Sequence, residues 1–126
     1  MPASFRQYHT QQVHFLRKGI TFSNALTTVT VGYIPNGSLV LKPLSGVHID
    51  TVFNGTAPQT LAIGPSTSTS LWAAALSLST TTFVACDQNN TYLVPSDTTV
   101  QTVIGGSGST AGIAQIVIAY IPNTDG

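Results

Sequence analysis

Charge is what this chain has least of. Its 126 residues include four Lys and Arg, four Asp and no Glu, so 6% are charged, against about 25% in an average soluble domain. So few charges do little to hold copies of the chain apart. The surface must be solvated by other polar groups or covered by partners. Cysteine is almost absent. Cys86 is the single one, which excludes an internal disulfide and any compartment argument drawn from one; it reads as a small buried hydrophobe. No run of 18 or more apolar residues occurs, which excludes a membrane-spanning helix. The opening stretch MPASFRQYHTQQVHF lacks the apolar segment of a signal peptide, so use without secretion is expected.

The shortage of acids also bears on chemistry. General acid–base work calls for titratable groups, usually paired, and Asp50, Asp87, Asp97 and Asp125 are the only carboxylate side chains. Asp87, Asp97 and Asp125 read as solvated turn or terminal residues. Asp50 lies beside His48 on a strand, either as a surface pair or as a small ligand-binding spot. A Ser/His/Asp triad needs residue types that are all present. GGSGS at 105–109, however, departs from G-x-S-x-G, because Ser109 stands where the second Gly belongs. It is not a phosphate loop either, lacking GK[ST] and a following helix. His9, His14, His48 and Cys86 match no zinc spacing. RQYHTQQVHFLRK mixes basic and aromatic residues, but three full charges give little affinity for nucleic acid at physiological salt. No catalytic residue, metal ligand or cofactor is assigned, and neither nucleic acid nor membrane is expected as a partner.

What is present is hydroxyl and β-propensity. Ser and Thr number 31 and supply part of the solvation. From Thr28 onward, short segments alternate apolar and polar residues between Gly, Pro and Asn turns. Strands are expected at 28–33, 38–41, 47–53, 61–63, 81–86, 92–94, 98–104 and 113–121. STSTSLWAAALSLS at 66–79 has three alanines that favour helix, but its short apolar run between hydroxyl residues reads as a strand over 71–78. Trp72 reads as a core anchor; exposed, it would be a platform for sugar stacking or an interface anchor. GGSGSTAG at 105–112 is a Gly-rich connection. Eight to ten short strands with turns between them predict an all-β antiparallel β-sandwich, with a jelly roll as the natural arrangement. Residues 1–18 read as an extended N-terminal arm with a short strand at 11–16, and 19–126 as a single β-sandwich domain.

YIPN occurs twice, at 33–36 and 120–123. Val29 aligns with Ile116 and Val31 with Ile118, but TFSNALT has no counterpart in GGSGSTAG. A true repeat would extend further, so these are two strands that share an ending: a half-buried Tyr, a β-branched Ile, and a Pro that stops pairing. Taking 28–33 as the opening strand of a jelly roll, it is expected to pair with, or lie one strand from, 115–121.

Two stretches carry a family resemblance. YIPNGSLVLKPLSGVHIDTVFNGTAPQTLAIG at 33–64 and GSTAGIAQIVIAYIPN at 108–123 resemble the turn, Phe-Asn-Gly-Thr and Thr-Ala-Gly-plus-strand pattern of head decoration, or capsid cement, proteins of tailed phages. About 50 residues are covered, and 65–95 is not matched. The resemblance implies a small β-sandwich or jelly-roll structural protein of the virion. Such a protein is made in the host cytoplasm, binds the outer capsid surface as a homo-oligomer (dimer or trimer), and bridges neighbouring capsomers through the major capsid protein. The cations all precede Asp50, so residues 1–49 carry +4 and 50–126 carry −4, which fits an arm drawn to an acidic surface. Phe5, Arg6, Tyr8, Phe15, Arg17 and Lys18 are therefore the expected capsid or subunit contacts. The alternative is a head- or tail-associated carbohydrate or receptor-binding module, which requires Trp72, Tyr92 and the turn at 87–90 to be exposed.

Overall fold

Alternating apolar residues and frequent turn formers produce nine strands among the described residues, which in this computed structural model are 12–24, 26–56, 58–89, 92–106 and 108–122. They are β1 (His14–Thr21), β2 (Thr28–Ile34), β3 (Leu39–Val40), β4 (Gly46–Thr51), β5 (Thr60–Pro65), β6 (Ala73–Ser77), β7 (Phe83–Ala85), β8 (Thr98–Gly105) and β9 (Ile113–Ile121). The ambiguous alanine segment is indeed a strand. Two antiparallel sheets result, ordered β1-β9-β4-β7 with β3 also on β9, and β2-β8-β5-β6.

The pairings nest. β1 pairs β9, β2 pairs β8, β4 pairs β7 and β5 pairs β6. A single long hairpin with its tip between β5 and β6, wrapped into two layers, pairs in this way, and the arrangement is compatible with a jelly roll. β3 and β4 act as one interrupted strand, because both lie on the same partner, β9. Pro43 sits in the short 3-10 turn between them (Lys42–Leu44) and cannot donate to a ladder. Buried Ser45 fills the gap. Its hydroxyl donates to the Leu41 carbonyl at 2.8 Å and accepts from the Ala119 amide at 3.0 Å.

Both sheets turn their apolar faces inward. Val47, Ile49, Ile116 and Ile118 from one sheet meet Leu61, Ile63, Val100 and Ile104 from the other, all at most 1% exposed. The one polar strand residue in that set, Thr102, is satisfied by donating to the Ala62 carbonyl at 2.7 Å. Trp72 and Tyr92 close one end, ring centroids 5.9 Å apart. The Tyr92 hydroxyl lies 2.9 Å from the Trp72 carbonyl and 2.8 Å from that of Gln88.

Three expectations are corrected. The strand placed at 11–16 runs from His14 to Thr21 instead, so residues 14–18, grouped with the arm, pair with β9. Consequently 28–33 is not the opening strand. It belongs to the second sheet while 115–121 belongs to the first, so the two YIPN strands neither pair nor lie one strand apart. The first and last strands do pair, but the first is β1. Third, Tyr33 is 71% exposed rather than half-buried. The register of β2 on β8 shifts between Thr30 and Gly32, a bulge at Val31 that turns Tyr33 outward and Ile34 inward. The segment 92–94 contributes only a bridge, Leu39 to Leu93.

Candidate functional site

Of the six residues expected at an interface, Phe5, Arg6 and Tyr8 lie outside the described residues. Phe15, Arg17 and Lys18 sit on β1, an edge strand. The register separates them. Phe15 and Arg17 align with Ala119 and Val117 on the outer face, whereas Lys18 aligns with core-facing Ile116. A cation on the inner side of an edge strand discourages strand addition there. Phe15 is 58% exposed, and the Arg17 Nε donates to Gln115 Oε1 at 3.2 Å.

Around that pair the outer face of the first sheet is chemically mixed. One row runs Arg17, Val117, Gly46, Ala85 and the next Gly19, Gln115, His48, Phe83. Phe83 and Ile113 are 42% and 45% exposed. His48 Nε2 stands 3.1 Å from Asp50 Oδ1, both in solvent. The His48–Asp50 proximity read from the strand is therefore real. Its register neighbours, Gln115 and Phe83, are not nucleophiles. The outer face of the second sheet is different in kind: β2, β5, β6 and β8 contain no charged residue at all. Thr, Gln, Ala and Gly dominate it, and neither edge, β2 or β6, carries a charge to deter pairing.

Among the described residues no Lys or Arg lies within ion-pair distance of an Asp; His48–Asp50 is the one such contact. The sparse charges are thus not consumed internally. Lys42 Nζ donates to Asn89 Oδ1 at 3.1 Å. Asp97 Oδ1 accepts the Asn36 amide at 2.9 Å, which ties the first YIPN turn to the start of β8.

Two adjoining concavities lie at one end. A cleft of about 270 Å³ lies between 65–72 and 93–98, walled by Pro65, Leu71, Trp72, Leu93 and Pro95, with Asp97 at its rim. A shallower depression adjoins it between Tyr33, Pro35 and Asp97. Sequence reading missed this cleft. The available signal was a pair of similar turns, Pro-Ser-Thr at 65–67 and Pro-Ser-Asp at 95–97, which the fold brings together.

The turn at 87–89 is largely exposed, but the two aromatics required for sugar stacking are not. Trp72 is 2% and Tyr92 9% exposed, so the tryptophan is a core anchor. Its Nε1 is the one buried side-chain polar atom without a partner among the described residues. Cys86 is buried as expected, and burial, with the Asp87 carboxylate beside it, pushes its thiol up from 9.0 to about 12. Burial first, then Cys86 and Asp87, push the Tyr92 hydroxyl up to about 12. Both groups keep their protons at neutral pH. No group of three or more His, Cys, Asp or Glu among the described residues is placed to hold a metal ion. Ser109, in the Gly-rich connection, donates to Gln59 Oε1 at 2.9 Å.

No protein-family model matches the chain, and no curated protein matches it. Two solved chains share its fold. One belongs to the cyanophage Pam1 capsid asymmetric unit, with a TM-score of 0.67 and 20% identity over 90% of this chain and 87% of that one. The other is in the acidic stable capsid structure of the Helicobacter pylori bacteriophage KHP30, with a TM-score of 0.69 and 12% identity over 90% of this chain and 91% of that one.

Proposed function

We propose that this chain is a structural component of a phage capsid, and within that class a decoration or cement protein that binds the outer capsid surface and bridges neighbouring capsomers. The observation that carries the reading is the likeness, over nine-tenths of the chain, to chains in two phage capsid structures. The chemistry supports it. A surface with few charges, none of them spent on Lys–Asp or Arg–Asp pairs among the described residues, suits a protein whose faces are covered by neighbours. Binding then stabilises the assembled shell by mass action, because a composite site exists only where capsomers meet. In this reading the partners are the major capsid protein and further copies of the chain. Phe5, Arg6, Tyr8, Phe15, Arg17 and Lys18 form the contact region toward the capsid protein or a sister subunit, with Arg17 and Lys18 facing acidic groups of the lattice. No enzymatic role is proposed.

The test is co-sedimentation of the purified chain with capsids that lack it, followed by thermal disruption of the loaded particles. Binding with a higher disruption temperature is expected. Reversing Arg6, Arg17 and Lys18 to Glu should weaken binding most at low salt, where charge pairing is least screened. A chain that stays in the supernatant at all salt concentrations refutes the proposal.

A further inference from the structure

The cleft at Trp72 and Asp97 lies at the end of the sandwich where β1 begins and β9 ends. His14, the first residue of β1, aligns with Tyr120 near the end of β9. Tyr120 pairs with Val40, and Leu39 bridges Leu93, a wall of the cleft. Thirteen residues precede His14, and Phe5 and Tyr8 among them are large aromatics near the cation Arg6.

We infer that this cleft receives the N-terminal arm of a second copy of the chain, with Phe5 or Tyr8 seated between Leu71, Leu93 and Pro95 and Arg6 beside Asp97. This rests on the arm being a contact element, as proposed above, and names the surface it contacts. Three observations support it. The first is size: an apolar cavity of about 150 Å³ holds benzene, so a cleft of about 270 Å³ has room for one aromatic side chain. The second is charge: Asp97 is exposed with no basic partner among the described residues, and the arm brings a guanidinium. The third is reach. Residues 5–18 contain no Gly, Pro, Asn, Asp or Ser, the residues that favour turns. At about 3.4 Å per residue the nine steps from His14 back to Phe5 can span at most roughly 30 Å, comparable to the diameter of a domain of this length. An arm that leaves one copy and a cleft that accepts it in the next form a head-to-tail contact, which makes a ring where the rotation between copies closes.

Two full-length variants, Tyr8→Cys and Ser96→Cys, carried on chains with tags of different size, test the contact by mild oxidation. Ser96 lines the cleft and is exposed; Thr30→Cys, on the exposed outer face of β2, is the control. The expected result is an interchain Tyr8→Cys/Ser96→Cys product at least tenfold more abundant than the Tyr8→Cys/Thr30→Cys product. Equal yields overturn the inference, as does, in one chain carrying both Tyr8→Cys and Ser96→Cys, an intrachain link without an interchain one. Independently, the Phe5→Ala/Tyr8→Ala chain, with its cleft intact, should sediment as a smaller species than the parent at equal concentration; identical sedimentation overturns the inference as well. The outcome is separable from that of the capsid proposal. Failure of the cross-link with capsid binding retained removes this contact alone. A cross-link in a chain that does not bind capsids leaves the contact and removes the capsid role.

Discussion

Gly46 and Gly19 lie on the same face of the same sheet, yet the structure assigns them opposite tolerance. A Cβ at Gly46 would run into the Val84 carbonyl oxygen and stand 2.8 Å from Ala85 Cα and 2.9 Å from Val84 C. All three are backbone atoms of β7, so no rotamer change relieves the clash. β7 is held to β4 by only three aligned pairs, Gly46–Ala85, Val47–Val84 and His48–Phe83, and Gly46→Ala forces that strand away. Losing about two ladder bonds at roughly 1 kcal/mol each, plus the strain of overpacking, gives a cost of about 2–3 kcal/mol. For a domain of this length that lowers the melting temperature by about 10 °C. At Gly19 the nearest atoms are the Gln115 side-chain amide, at 3.2 Å and beyond, and that side chain can rotate. Gly19→Ala is expected to melt within about 2 °C of the parent, because one bond to Arg17 is exposed and weakly stabilising. Thermal unfolding followed by circular dichroism reads both variants. If Gly46→Ala melts with the parent, the close approach of β7 to β4 is wrong, and with it the order of the first sheet.

Three further expectations concern the joints of the fold. Ser45→Ala leaves the buried Ala119 amide without its acceptor, and urea unfolding should report a loss of about 1–3 kcal/mol; no loss would mean that the hydroxyl does not close the gap between β3 and β4. Asn54→Ala removes the side chain that accepts the Thr110 and Ala111 amides and donates to the Thr110 hydroxyl. Faster amide hydrogen exchange at 110 and 111 is expected, with global stability lowered by about 1–2 kcal/mol; unchanged exchange would show that the connection is held by other contacts. The Cys86 thiol, at about 12 when folded against 9.0 as its ordinary value, keeps its proton in the folded chain while the unfolded chain loses it. Stability is therefore fully present below pH 9 and falls from pH 9 toward 12. Tyr92 acts in the same direction. Cys86→Ala should flatten the alkaline slope measured by urea unfolding, and an unchanged slope would remove the thiol from the account.

The strands themselves were legible because each is a local statement. In β8 the alternation of Val100, Thr102 and Ile104 against Gln101 and Val103 demands one wet face and one dry one, and no distant contact alters that demand. β9 likewise has the bounds its alternation predicts, and the class of fold follows from many such segments separated by turns. The bulge at Val31 was not legible, because an extra residue in one strand is defined only against its partner, β8. Without it the alternation of Val29, Val31 and Tyr33 extrapolates straight through and buries the wrong ring. The role of 14–18 was hidden for a related reason. Its inner residues, Leu16, Lys18 and Ile20, include a cation, and only the pairing with β9 shows that an edge strand tolerates one there. The cleft is the extreme case: Pro65 and Pro95 are 30 residues apart, each an unremarkable turn, and they form a cavity only because β5 and β8 are neighbours. Periodicity and composition, being properties of a segment, determined the strands, the poverty of charge and the lack of paired acids. Register, sheet order and concavity are properties of pairs of segments, and the tertiary structure alone decided them.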